Sequence, residues 1–204
     1  MKFSRQLALA AVFSAAATAP IAGNAFPIAA VGTEGLSVVV GNTGNIIATY
    51  QGNSASYSND LLLSMTAVGT GLDGNNGNDT YIFNNHATPV GTTFNLGSFA
   101  VGTELIFRLH VNNTGNDFFT GLASRNADNK FHARVENNWQ PNETLVSFED
   151  LFGTPEGING YNDLSFSFTN TIAAPTPTVP EPVSLSLIGL GLAGLGMSRR
   201  KKTV

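Results

Sequence analysis

From Phe26 to Thr171 the chain runs in short stretches of alternating apolar and polar residues, separated by clusters of Gly, Asn and Asp. In Thr103–Val111, Leu105, Phe107, Leu109 and Val111 fall on one parity and Ile106, Arg108 and His110 on the other. A period of two belongs to a strand, whose successive side chains point to opposite faces. Leu164, Phe166 and Phe168 repeat the pattern, with Ser165 and Ser167 expected outward. The same reading predicts strands over Leu36–Val40, Ile46–Gln51, Leu61–Val68, Tyr81–Asn84, Lys130–Glu136, Thr144–Glu149 and Leu164–Thr169. No stretch of this body longer than about ten residues carries helical periodicity. Many short strands with turn residues between them predict an all-β domain over residues 26–172, an antiparallel β-sandwich of jelly-roll-like form.

The two ends follow other patterns. Lys2 and Arg5 precede an Ala-rich apolar run from Leu7 to about Ala19, and Gly23-Asn24-Ala25 closes it. A basic start, an apolar run and small residues at the exit are the marks of a signal peptide, a helix over residues 1–25 cleaved after Ala25 by signal peptidase. At the other end Pro175, Pro177, Pro180 and Pro182 fix φ and remove backbone donors, so residues 173–182 read as a stiff linker. Val183 to Met197 is free of charge and is followed by Arg199, Arg200, Lys201 and Lys202. As a helix this run spans roughly 22 Å, short of the roughly 30 Å hydrocarbon core. The basic cluster decides the reading: it keeps residues 198–204 cytoplasmic and makes 183–197 a transmembrane helix with the body outside. Gly189, Gly191 and Gly194 have the spacing of a dinucleotide fingerprint, but the chain ends before a crossover strand and its acid could follow.

Charge sharpens this division. Thirteen of the fourteen acids lie between Glu34 and Asp163, against four basic side chains there, which leaves the body at about −9 while the whole chain is −4. Such a body is a poor nucleic-acid partner, because phosphate contacts need cations. It suits divalent cations, and equally it suits the solubility of an exported domain. The absence of cysteine is neutral on export.

The order Val179-Pro180-Glu181-Pro182, short apolar helix, Arg199-Arg200-Lys201-Lys202 resembles the PEP-CTERM sorting signal of Gram-negative bacteria. The resemblance implies recognition of the Pro-Glu-Pro box by exosortase, a membrane protease-transpeptidase, with transient residence in the inner membrane and release to the cell surface or beyond. It also implies company with exopolysaccharide and biofilm components.

A second resemblance covers about Gly102 to Asn170. Val146-Ser147-Phe148-Glu149-Asp150-Leu151-Phe152, a loop, and Tyr161-Asn162-Asp163-Leu164-Ser165-Phe166 are similar to an uncharacterised β-rich domain of exported bacterial proteins, marked by FEDL and DYNDLVF. Glu149, Asp150, Asn162 and Asp163 match by position, whereas Ile158, Asn159 and Gly160 stand where two Asp are expected. Calcium takes six to eight oxygens, several of them carboxylates on loops. Glu149 and Asp150 end one strand and Asp163 begins the next, so antiparallel pairing brings these oxygens to one rim. The alternative is a capped turn with Glu149 in solvent. A second oxygen-rich loop, with Asp73, Asn75 and Asp79 at alternating positions, offers calcium ligands or a plain hairpin loop.

Catalytic patterns are missing: His86, His110 and His132 form no metal pair, and there is no nucleophile elbow. Trp139, the single Trp, is either a core plug or an exposed ring for a sugar face. The reading that follows is a non-enzymatic, exported and sorted protein with a structural or adhesive role in the exopolysaccharide matrix. The alternative is a calcium-dependent carbohydrate-binding module.

Overall fold

A computed structural model describes residues 26–64, 76–153 and 160–175. Its strands are β1 (Leu36–Val40), β2 (Asn45–Gly52), β3 (Asn59–Leu63), β4 (Thr80–Asn84), β5 (Thr93–Ser98), β6 (Glu104–Leu105), β7 (Phe107–Val111), β8 (Asn116–Phe119), β9 (Ala133–Gln140), β10 (Glu143–Phe148), β11 (Leu164–Thr169) and β12 (Thr171–Pro175). Two single 3-10 turns, at Asn76–Asn78 and Ala123–Arg125, are the helical elements among the described residues. No helix there is long and apolar enough to cross a membrane. The signal helix with its exit at Ala25, the sorting tail, Asp73 and Asn75 all lie outside the described residues.

The strands pair antiparallel in three sheets, ordered β12-β1-β6, β5-β2-β11-β10-β9 and β4-β3-β7-β8. First pairs with last twice over, β1 with β12 and β2 with β11. Asn170, at φ 58, stands between β11 and β12 and turns the chain from the five-stranded sheet into the three-stranded one. Asn tolerates this left-handed conformation because its short polar side chain bonds locally; here Nδ2 donates to the Asn45 carbonyl at 2.9 Å. Pro141 followed by Asn142 at φ 62 joins β9 to β10, the proline and positive-φ order of a type II turn.

The five-stranded and four-stranded sheets meet face to face. Phe107 on β7 stacks on Phe168 of β11 with centroids 4.0 Å apart, and Phe83 on β4 stacks on Phe166 at 5.9 Å. Leu105, Phe107, Leu109 and Val111 all enter this core, as their parity predicts. Burying each such side chain stabilises the fold by roughly 1.5–3 kcal/mol.

Several expectations are corrected. The strand expected over Thr103–Val111 divides at Ile106: β6 pairs with β1, whereas from the Ile106 carbonyl, which accepts from Ser64 N–H, the chain pairs with β3. β5, β8 and β12 were not legible. Ala173, Ala174 and Pro175, expected in the linker, complete β12. Trp139 lies on β9, half-exposed and outside the core cluster. Ser165 and Ser167 do not face solvent; both are buried. Their face is crossed by the segment before β1. Phe26 lies against Gly52, Ala29 N–H donates to Ser147 Oγ at 2.9 Å, and Ala30 N–H donates to Glu136 Oε2 at 2.8 Å. At Gly52, φ is 131° and a Cβ would come within 2.8 Å of Phe26, so the crossing requires glycine there.

Candidate functional site

The register Phe148↔Leu164 between β10 and β11 decides where the acids fall. Glu149 and Asp150 leave the end of β10 as Asp163 enters β11, and Asp163 N–H still donates to the Phe148 carbonyl at 3.1 Å. One carboxylate oxygen from each of Glu149, Asp150 and Asp163 lies within 4.8 Å of the others. All three residues are buried, with Glu149 at 0 % exposure, Asp150 at 4 % and Asp163 at 8 %. Asp150 N–H donates to Asp163 Oδ2 at 2.8 Å, and Leu151 N–H donates to Glu149 Oε1 at 3.0 Å. Asn162 stands apart from these oxygens in its role: its carbonyl accepts from Ser54 N–H, and it lines a neighbouring cavity.

Burial raises the pKa of Asp163 to about 8, and the charge of Asp150 adds to the rise. The backbone N–H of Asp150 works the other way, and Glu149 raises it further. Ionised carboxylates this close, out of water, repel strongly enough that one of them keeps a proton at neutral pH.

The opposite sheet contributes a residue that sequence reading missed. Asn59, the first residue of β3, is fully buried and donates from Nδ2 to Asp150 Oδ2 at 2.7 Å. Its own N–H is held by Asn85 Oδ1 at 2.8 Å. Asn59 Oδ1 is buried and has no hydrogen-bond partner among the described residues. Asn59 and Asp150 are separated by 91 positions, so no local signal could have joined them. Next to the cluster a cavity of about 250 Å³ is lined by Ser54, Ser56, Tyr57, Asp150, Leu151, Asn162 and Asp163.

The rim is stiffened from below. Buried His132 faces the Glu149 carbonyl through Nδ1 at 3.0 Å and Asp128 Oδ2 through Nε2 at 2.8 Å, and Phe118 stacks on its ring. Burial pushes against ionisation of Asp128, but N–H groups of Gly153 and Lys130 together with His132 hold its pKa below the ordinary carboxylate value. Tyr161 donates to the Phe131 carbonyl at 3.0 Å beneath the Arg134 guanidinium; burial, then the charge of Glu34, pushes its hydroxyl up to about 12.

Asp79, from the second oxygen-rich loop, goes elsewhere. It pairs with the buried Arg108, which also reaches Asp117 Oδ1 at 2.7 Å, and Asp117 in turn meets His110 Nδ1 at 2.8 Å. The Asp79 carboxylate is thus engaged by a guanidinium.

Residues 178–201 match the PEP-CTERM protein-sorting motif. The tail is therefore similar to that of exported proteins sorted by exosortase, held in the membrane before display at the surface. Searches of curated proteins and of solved structures find no match.

Proposed function

We propose that this chain is a surface-displayed structural module of the extracellular matrix, a jelly-roll-like sandwich exported by its N-terminal signal and sorted by its tail. The observation that carries the reading is the motif at 178–201, which begins just past Pro175, the last residue of β12. The last described strand thus lies just ahead of the sorting motif, and cleavage near Pro180-Glu181-Pro182 would leave it intact. Its acidic surface favours solubility outside the cell and excludes nucleic acid as a partner. The likeness of its FEDL and YNDL segments to a domain of exported bacterial proteins belongs to the same reading.

A catalytic role is not part of it. The nearest candidates for paired carboxylates, Glu149, Asp150 and Asp163, are buried, at 0 %, 4 % and 8 % exposure. Mass spectrometry of the protein recovered from its native cells tests the proposal. The expected mature chain begins at Phe26 and lacks the Arg199–Lys202 cluster, and it fractionates with the surface or medium. An intact chain in the cytosol overturns it.

One observation favours the carbohydrate-binding alternative. The cavity beside Asp150 and Asp163 carries the hydroxyls of Ser54, Ser56 and Tyr57 and the amide of Asn162, a lining suited to a neutral polyol. Binding on a glycan array that needs calcium and fails after Tyr57→Ala would move the function to this reading; an array without binding removes it.

A further inference from the structure

Two facts at the rim have separate origins. The first is the three-carboxylate cluster, drawn together by the β10–β11 pairing. The second is Asn59, brought from the other sheet by β3, with a fully buried amide that touches Asp150 by one end and leaves its oxygen without a donor at the other. A buried amide oxygen without a partner is uncommon, because its lost hydration is not replaced. It asks for a specific explanation.

We infer that Asn59 Oδ1 and the carboxylates of Glu149, Asp150 and Asp163 form a single calcium site that ties the two sheets together. The donor set is all oxygen, which selects hard cations over zinc or copper. Three carboxylates and a neutral amide are a usual calcium complement, and water from the adjoining cavity can fill the remaining positions. Magnesium fits less well, since it demands a compact octahedron and gives up its water reluctantly. A half-turn of the Asn59 amide about its last torsion carries the oxygen to the Asp150 side, exchanging the Nδ2–Asp150 hydrogen bond for an oxygen–ion contact and moving the NH2 group to where the oxygen stood. No hydrogen-bond donor then needs to find that oxygen, because the ion does.

Placement gives the site its consequence. Asn59 stands on β3 in the four-stranded sheet, while Glu149, Asp150 and Asp163 flank β10 and β11 in the five-stranded sheet. An ion among them is a cross-link between the layers, beyond the side-chain packing and the few hydrogen bonds, such as Tyr50 to the Asn85 carbonyl, that join them. The inference holds whether the domain is a scaffold or a sugar-binding module.

Calorimetric titration and thermal melting of the purified full-length chain, stripped with chelator and then titrated with calcium or magnesium chloride, test it. One calcium per chain is expected, with affinity in the range of extracellular modules, roughly 10⁻⁴–10⁻³ M or tighter. The melting temperature should rise with calcium concentration and respond less to magnesium. Asn59→Ala, shown folded by circular dichroism, should weaken calcium at least about tenfold. Asn59→Asp adds a carboxylate and should lower the metal-free melting temperature while binding calcium more tightly. An amide that merely braces Asp150 predicts the first of those effects without the second. Absence of heat and of any melting shift at about 10 mM calcium, well above that range, overturns the inference. So does a full calcium response in Asp163→Asn, which would put the ion elsewhere, or an unchanged affinity in Asn59→Ala.

Discussion

Two clusters in this domain bury acids in close company, and they resolve the same electrostatic difficulty in opposite ways. Around β7, Arg108 lies between Asp79 and Asp117. Burial works against its charge, but hydrogen bonds and the charges of Asp117 and Asp79 outweigh it and hold the guanidinium pKa above its ordinary value. At the β10–β11 rim, Glu149, Asp150 and Asp163 crowd one another, and the balance comes out as a carboxyl with its pKa raised to about 8. The first cluster carries its cation in covalent form. The second is arranged to receive one, a proton in the metal-free protein and a divalent ion under the inference above. The contrast teaches that buried acidity alone does not mark a site; what the acids face does.

The comparison can be broken most forcefully at Arg108. Arg108→Met removes the internal cation and leaves the Asp79 carboxylate buried without it, which should destabilise the domain by about 3–5 kcal/mol in urea denaturation. A similar loss is not expected from neutralising an acid at the rim. There the metal-free protein should show a stability of opposite pH habit. The unfolded Asp163 carboxyl ionises near 3.8 and the folded one near 8, so between those values the folded state binds more protons. Stability therefore falls as pH rises through this window, by on the order of a few kcal/mol, and levels off above it. Asp163→Asn should flatten that slope, leaving stability near pH 3 little changed and raising it progressively toward pH 9; a slope that survives the substitution would assign it to another group.

A smaller effect is expected beneath the rim. Asp128→Ala leaves buried His132 with one partner fewer and frees the Gly153 N–H, which should cost about 1–3 kcal/mol. Because the Asp128 pKa is lowered, its contribution is present above the ordinary carboxylate value and lost as pH falls through the folded one, opposite in sign to Asp163. The smallest change belongs to Glu104, which accepts from Arg125 at 2.8 Å near the surface. Glu104→Gln should remove about 1 kcal/mol or less, more at low salt than at high.

Much of the fold was written in the period-two pattern. Leu105, Phe107, Leu109 and Val111, and Leu164, Phe166 and Phe168, are core residues because alternation and burial are one signal in a sheet with a single wet face. The pattern failed where that premise failed. Ser165 and Ser167 look outward by composition but lie under the Phe26–Ala30 crossing, which has no periodicity of its own. β5 is an edge strand with no fully buried residue, and β12 has one, so neither carries an alternation strong enough to read. The loop acids were half legible. Antiparallel pairing of neighbouring strands brings Glu149 and Asp163 together from local sequence, whereas Asp79 could be sorted from Asp150 only once Arg108 was seen beside it.

The sequence carried the class of fold, the sorting motif near its C-terminal end and the meeting of acids across one strand pair. Each of these is written in short-range order: a period, a charge flank, a turn between adjacent strands. Only the tertiary structure shows that Asn59 stands 2.7 Å from Asp150, that Arg108 neutralises one acid cluster, and that the segment before β1 lies across buried serines. Those contacts join positions far apart in the chain, and they are set by which sheets pack together, a choice driven by the whole apolar core and recorded in no single stretch of residues.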